Sequence, residues 1–280
     1  MASLFSPILQ YAYAHWLTTK GFLGLLFAFV ALYLIISNPA TNLIVFHSIN
    51  GLSPKVAEWA QLMLTDLGNG VTLGVLMLCC LIKRPELLIK VLAATILSLI
   101  LVPLLKQYFD APRPAAVLEM LHIVGNKRLS HSFPSGHSSS AFLFAGTLFL
   151  VCQCHSYKLL VILAAVLVAL SRITVGAHWP MDVVMGAIVG LSCAYLASFF
   201  PPIQLSNTAR FIILTTLLIT LIICELSEDK SLIWQVIVMR WSLIGTAALM
   251  LVQDYYRSKL RQRKRPEKRL YQGPSFLSPP

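Results

Sequence analysis

The sequence predicts an all-α protein, a polytopic bundle of transmembrane helices, and three observations carry that prediction. The 280-residue chain is 57% hydrophobic and only 12% charged, where a soluble domain carries roughly a quarter charged residues. Apolar runs near the ~20 residues that a spanning helix needs recur from end to end. No low-complexity tract or soluble domain separates them.

Taken in order, the runs predict spans near 21–37, 58–82, 86–106, 137–154, 158–175, 180–200, 209–225 and 231–252. The first, "GFLGLLFAFVALYLIIS", reads as an uncleaved span: the first positive charge is Lys20 and no A-x-A cleavage signal follows. The second is interrupted by "TDLGNG", around Asp66 to Gly70, so its ends are loosely specified. The last residues, "YQGPSFLSPP", read as a disordered tail. This divides the chain into a core over 1–205, an additional transmembrane hairpin over 206–254 and a basic tail over 255–280. Six cysteines fall within or beside apolar segments, without metal-finger spacing or a loop-borne disulfide framework, and read as plain thiols.

Charge sets the orientation. The net charge is +11, but eight of the 22 basic residues sit in one tail, "RSKLRQRKRPEKR" (Arg257 to Arg269). That position suits a cytoplasmic flank facing anionic lipid better than a nucleic-acid surface. Lys83 to Lys90, Lys158 and Arg210 share the tail's side if every span crosses, and the acidic "ELSEDKS" falls opposite. The positive-inside rule then places both termini in the cytoplasm. Lys106, Arg113, Lys127, Arg128 and Arg172 are basic yet fall on the outer side, which points to an anionic ligand there.

Counting spans brings three polar clusters to that outer face: "KQYFDAPRP" (Lys106 to Pro114), "PSGH" (Pro134 to His137) and "SRITVGAHWPMD" (Ser171 to Asp182). Lys106, Arg113 and Arg172 can grip a phosphate, Arg bidentately and Lys as a point charge. Ser135, Gly136 and His137 open a helix, so their backbone N–H groups are candidates to bind an anion, and Gly allows close approach. His178 and Asp182 stand one helical turn apart. The carboxylate can fix the imidazole tautomer and leave the other nitrogen free as a nucleophile. His137 is a second imidazole, suited to donating a proton to a leaving oxygen. No metal or other cofactor is required.

The pattern K-x6-RP (Lys106, Arg113, Pro114), PSGH (Pro134 to His137) and SR-x5-H-x3-D (Ser171, Arg172, His178, Asp182) resembles the three-part signature of the type 2 phosphatidic acid phosphatase (PAP2) superfamily. That family includes membrane lipid phosphatases and soluble vanadium haloperoxidases. All three motifs are intact and in order. The resemblance implies a six-helix core, here followed by about two extra C-terminal transmembrane helices, with the site at the outer membrane face. It implies that His178 attacks phosphorus to form a phosphohistidine that water hydrolyses. Asp182 would orient His178, and His137 would protonate the leaving group. Lys106, Arg113, Ser135, Gly136 and Arg172 would hold the phosphate oxygens. The substrate would be a lipid phosphate or diphosphate in the bilayer of a bacterial inner membrane. An undecaprenyl diphosphate-type carrier is favoured, ahead of phosphatidic acid, phosphatidylglycerophosphate and the phosphates of lipid A.

Two further residues are candidates to line the substrate. His131 lies six residues before His137. Arg240 sits inside an apolar run, where a bare guanidinium costs at least about 2.5 kcal/mol, so it pairs with an acid such as Asp66 or binds a headgroup. A zinc site from His131, His137, His178 and Asp182 is disfavoured because the three cations would repel a dication. Transfer of the phosphoryl group to a lipid hydroxyl remains an alternative to hydrolysis. A non-enzymatic lipid or anion transporter fits less well, since it calls for broken helices in two matching halves, and the sequence carries one interrupted span and no internal repeat.

Overall fold

A computed structural model describes residues 7–203, 205–228 and 233–263, and every regular element among them is helical. Helix α1 (Pro7–Ile36) starts well before the predicted position 21. Helix α2 (Pro39–Asn50) was not among the predicted spans. Its 12 residues are too few to cross a bilayer. It starts cleanly because the Asn38 side chain accepts from the Ala40 and Thr41 amides and Pro39 stands in the first turn. Its last residue, Asn50, donates to the carbonyls of His122 (2.8 Å) and Thr174 (2.9 Å), tying α2 to the same end of the bundle as the polar clusters.

The interrupted second span is a broken one. Helices α3 (Glu58–Asp66) and α4 (Gly70–Lys83) meet at a 53° bend, with Asn69 capping α4 through the Val71 amide. Helix α5 (Leu88–Phe109) ends at Asp110 in the left-handed region and leads to the short α6 (Pro114–Val117). Then follow α7 (Gly136–Val151), α8 (His155–Thr174), α9 (Pro180–Ser198), α10 (Asn207–Ser227) and α11 (Trp234–Arg263). Among the described residues, six helices are long and apolar enough to cross a membrane, seven if the bent pair is one span. The remaining predicted span, α7, has only 16 residues. It packs against α1, α4, α5, α8 and α9, so other helices rather than lipid cover most of it. Outward-facing side chains such as Phe27, Leu34 and Leu99 are more than two-thirds exposed, as a hydrocarbon solvent requires.

Helix α11 continues to Arg263, past the predicted boundary at 252, so the first residues of the basic tail are helical. The segment "YQGPSFLSPP" lies outside the described residues. All six cysteines are free.

Phe22, Phe142, Ile173 and Leu191 centre the core between α1, α7, α8 and α9. A second cluster, including Leu78, Leu214 and Ala247, packs the α10–α11 hairpin onto α4. The closest helix contact is α7 on α9, and glycine makes it. A Cβ at Gly186 would lie 2.5 Å from the Ser135 carbonyl oxygen, and one at Gly190 2.2 Å from that of Ser139. Small residues spaced four apart let two backbones touch in a membrane. This contact sets the start of α7 against the start of α9, where the Ser135 amide donates to the Asp182 carbonyl at 2.9 Å. Gly190→Ala is therefore expected to destabilise the protein by about 1–3 kcal/mol or more. Thermal unfolding of the purified variant in detergent checks this, and an unchanged midpoint contradicts it.

Candidate functional site

The three motif clusters meet at one end of the bundle. Lys106, near the end of α5, donates from Nζ to the His131 carbonyl at 2.6 Å. Arg113 is buried and donates from Nε to the Ser130 carbonyl and from Nη1 to the Ala177 carbonyl, both at 2.9 Å. Its Nη2 also approaches the His131 carbonyl, at 3.5 Å. His131 holds that carbonyl between two cations from a left-handed backbone, φ +54°. Its ring turns elsewhere, half exposed, 3.0 Å from Ser130 Oγ and 3.6 Å from Asp110. Through its main chain, His131 braces the cations.

His178 is buried in the turn between α8 and α9, its amide donating to the Arg172 carbonyl at 3.2 Å. Its Nε2 lies 3.4 Å from Arg113 Nη1. A guanidinium can only donate, so Nε2 presents its lone pair and the ring proton belongs on Nδ1. That nitrogen faces Asp182 Oδ2 at 3.5 Å, a contact too long for a good hydrogen bond, and Ser132 Oγ at 3.4 Å. Burial, then the charges of Arg172, Arg113 and Lys106, hold the His178 imidazole well below its ordinary pKa. The ring is therefore neutral at pH 7.

Asp182 is fully buried in the first turn of α9. Its Oδ2 accepts from Ser132 Oγ at 2.5 Å and from the Trp179 amide at 2.9 Å, while Oδ1 has no partner. Ser132 is fully buried and was not anticipated from the sequence. It stands inside "HSFPSGHSSS" but belongs to none of the three motifs, and only the fold brings it to Asp182.

Ser135 caps α7, accepting from the Ser138 amide at 3.4 Å. The expectation that its own N–H faces a ligand is corrected, because that group donates to the Asp182 carbonyl at 2.9 Å. The amides of Gly136 and His137, in the first turn, have no intrahelical acceptor. His137 is half-buried, and a Cβ at Gly68 would stand 3.0 Å from its Cβ, so the α3–α4 break packs against it.

Arg172, at the end of α8, donates from Nη1 to Thr65 Oγ1 at 2.5 Å, while its buried Nε has no partner. Thr65, on α3, is a second residue that no motif announced. Arg240 is placed differently from the site cations. It is 1% exposed and grips Asp66 with Nε (3.0 Å) and Nη2 (2.5 Å). Its Nη1 bonds Glu225 at 2.6 Å and also Glu228. The Asp66 pairing weighed from the sequence is present. With every nitrogen engaged by carboxylates, Arg240 does not stand as a headgroup ligand here. Among the described residues no group of three or more His, Cys, Asp or Glu side chains could hold a metal ion.

The arrangement can grip a phosphate among three cations beside a neutral, oriented imidazole. Comparison with known proteins points the same way. Residues 87–206 match the family model of the PAP2 superfamily. The undecaprenyl-diphosphatase of Sulfolobus acidocaldarius is 27% identical over 191 residues, covering 66% of this chain and 90% of that protein. YbjG of Escherichia coli, provisionally named an undecaprenyl-diphosphatase, is 33% identical over 160 residues, covering 54% and 77%. Among solved structures, LpxE of Aquifex aeolicus superposes with a TM-score of 0.53 at 30% identity, covering 59% of this chain and 99% of that one.

Proposed function

Since this chain belongs to the PAP2 superfamily and is a membrane lipid phosphatase of that family, we propose that it hydrolyses a polyprenyl diphosphate of the undecaprenyl type through a phosphohistidine on His178. The observation that carries the chemistry is the His178 ring, with Nε2 3.4 Å from Arg113 Nη1 and Nδ1 turned to the Ser132–Asp182 pair. The two relatives named for undecaprenyl diphosphate support the substrate.

Lys106, Arg113 and Arg172 hold the terminal phosphate, with the Gly136 and His137 amides completing the cradle. The unpartnered Nε of Arg172 supports this, because a buried donor without an acceptor is costly unless a ligand supplies one. Nε2 attacks phosphorus, a P–N bond forms, and the P–O bond to the leaving phosphate breaks. His137 donates its proton to that oxygen, then takes one from the water that cleaves the P–N bond, releasing inorganic phosphate. The nearby cations stabilise the charge on the equatorial oxygens as it develops. Ser135 enters through its hydroxyl and as the cap that positions these amides.

The outward charge pattern supports a site on the extracytoplasmic side of a bacterial inner membrane, with both termini in the cytoplasm. Phosphate release by purified protein is expected from undecaprenyl diphosphate ahead of phosphatidic acid, phosphatidylglycerophosphate and lipid A, and undiminished by excess chelator. Preference for another of these lipids overturns the substrate. Activity lost to chelator and restored by zinc overturns the metal-free mechanism. A hydroxyl lipid added to the same assay separates hydrolysis from phosphoryl transfer.

The depressed His178 pKa makes a further prediction. The acid limb of kcat/KM due to His178 falls below pH 6.5, because protonation of Nε2 is opposed by burial and by cations. Arg172→Ala removes one of those cations, so the limb moves toward higher pH. A limb at or above pH 6.5 in the parent, or one that shifts to lower pH in the variant, contradicts the assignment.

A further inference from the structure

We propose that a cavity of about 530 Å³ between α4, α5, α7 and α10 holds the hydrocarbon chain of the lipid phosphate. The additional C-terminal hairpin would then supply one wall of the substrate site. The proposal rests on the lipid phosphatase reading above and extends it to a residue-level account of chain recognition.

The cavity is of the size that binds small ligands, and its walls are apolar over most of their length, with Leu73, Met77, Leu92, Phe144 and Leu221 among them. On α4 it runs from Asn69 to Leu81, about 18 Å at 1.5 Å of rise per residue. Asn69 and Glu228 lie at one end of it. There Asn69 Nδ2 donates to Glu228 at 2.9 Å, joining the α3–α4 break to the end of α10. That end is also the one nearest the phosphate cluster. Gly68, beside Asn69, abuts His137. Ser140, which lines the cavity, stands one helical turn beyond His137. Ser98, also in the lining, bonds Ser139 at 3.2 Å, two helical turns before Lys106 on α5.

An amphiphile with an anionic head and an apolar chain fits this order of groups: head among the cations, chain along α5 and down the cavity. Leu99 on α5 and Thr220 on α10 line the cavity and are exposed, so it opens sideways between those helices, where a bilayer lipid would enter. Thr220 and Leu221 belong to the hairpin. The backbone at Gly70 borders open space, with no atom within 4 Å of where its Cβ would be. Gly70 lines the cavity, so there is room for a side chain to start there.

Gly70→Phe tests the proposal with two substrates, undecaprenyl diphosphate and the short, water-soluble isopentenyl diphosphate. The variant is expected to lose about tenfold or more in kcat/KM on the long chain and to match the parent on the short one. Equal loss on both, or no loss on either, overturns it. A second measurement is independent of turnover. Undecaprenyl diphosphate carrying a diazirine in its chain is expected to label α10 near Thr220 and Leu221 in the inactive His178→Ala protein. Unmodified undecaprenyl diphosphate should compete that labelling and phosphatidylcholine should not. Equal competition by both means ordinary bilayer lipid fills the cavity and overturns the proposal, as does absence of labelling. Should the parent release phosphate from neither diphosphate, the proposed reaction fails and the labelling alone decides the cavity.

Discussion

His178→Ala is expected to lower kcat/KM on the lipid substrate by about 10⁴-fold or more, since removing a nucleophile that acts as a unit with its acid and orienting groups forfeits most of the catalysis. The variant should still fold and bind phosphate. Arg113 keeps its bonds to the Ser130 and Ala177 carbonyls, Lys106 keeps the His131 carbonyl, and Arg172 keeps Thr65. The expected signature is a collapse of kcat with a far smaller change in the affinity for inorganic phosphate. Ser132→Ala grades the same machinery. Asp182 Oδ2 would lose one donor and keep the Trp179 amide, so the carboxylate and the ring it faces would be loosened rather than released. A fall in kcat of about 10–100-fold fits a small misplacement of a reacting group, with KM little changed and Ser132→Thr restoring part of the rate. Equal activity of His178→Ala and parent on every lipid would remove His178 from the chemistry. An unaltered kcat in Ser132→Ala would remove Ser132 from it.

The second large effect lies in the hairpin. Arg240 is among the largest fully buried side chains of the molecule, and its guanidinium joins Asp66 on α3 to Glu225 and Glu228 at the end of α10. Breaking a buried ion network by removing one partner costs about 3–5 kcal/mol, because the remaining charges stay buried without compensation. Arg240→Met is expected to destabilise by that amount in thermal unfolding. It should also lower kcat/KM, because Asp66 adjoins Thr65, the hydrogen-bond partner of Arg172. Replacing the whole network tells charge from shape. Adding Asp66→Asn, Glu225→Gln and Glu228→Gln to Arg240→Met should recover part of the lost stability, since it removes the uncompensated buried charges. A quadruple variant less stable than Arg240→Met contradicts this account of the hairpin's attachment.

What the sequence disclosed and what it withheld follow from the range of each signal. The bilayer imposes long apolar runs, so the spans were legible. "TDLGNG" marked the α3–α4 break because its turn formers interrupt a run that otherwise continues. Each motif is local, and span counting alone could bring Lys106, His137 and His178 to one face. Helix α2 escaped because its 12 residues are shorter than any span and mix Asn and His with apolar side chains. Ser132 and Thr65 escaped because their partners lie 50 and 107 residues away, with no periodicity to signal the pairing. Arg240 announced its need for a carboxylate through the cost of burying it, and Asp66 could be named. Glu225 and Glu228 belong to the acidic segment "ELSEDKS", and Arg240 draws both toward the bundle. The Ser135 amide misled because a helix N-terminus suggests free donors, and only the fold brings the Asp182 carbonyl to it.

The most direct measurement of the central claim is trapping of the phosphoryl group in an alkaline, denaturing quench. Purified protein is mixed with a lipid diphosphate labelled with ³²P in its terminal phosphate, denatured within the first turnover and digested for mass spectrometry. The account predicts an acid-labile, base-stable phosphoryl group on the peptide bearing His178, absent in His178→Ala and chased to inorganic phosphate by water in the parent. A label on any other residue, or one that persists in His178→Ala, would contradict it.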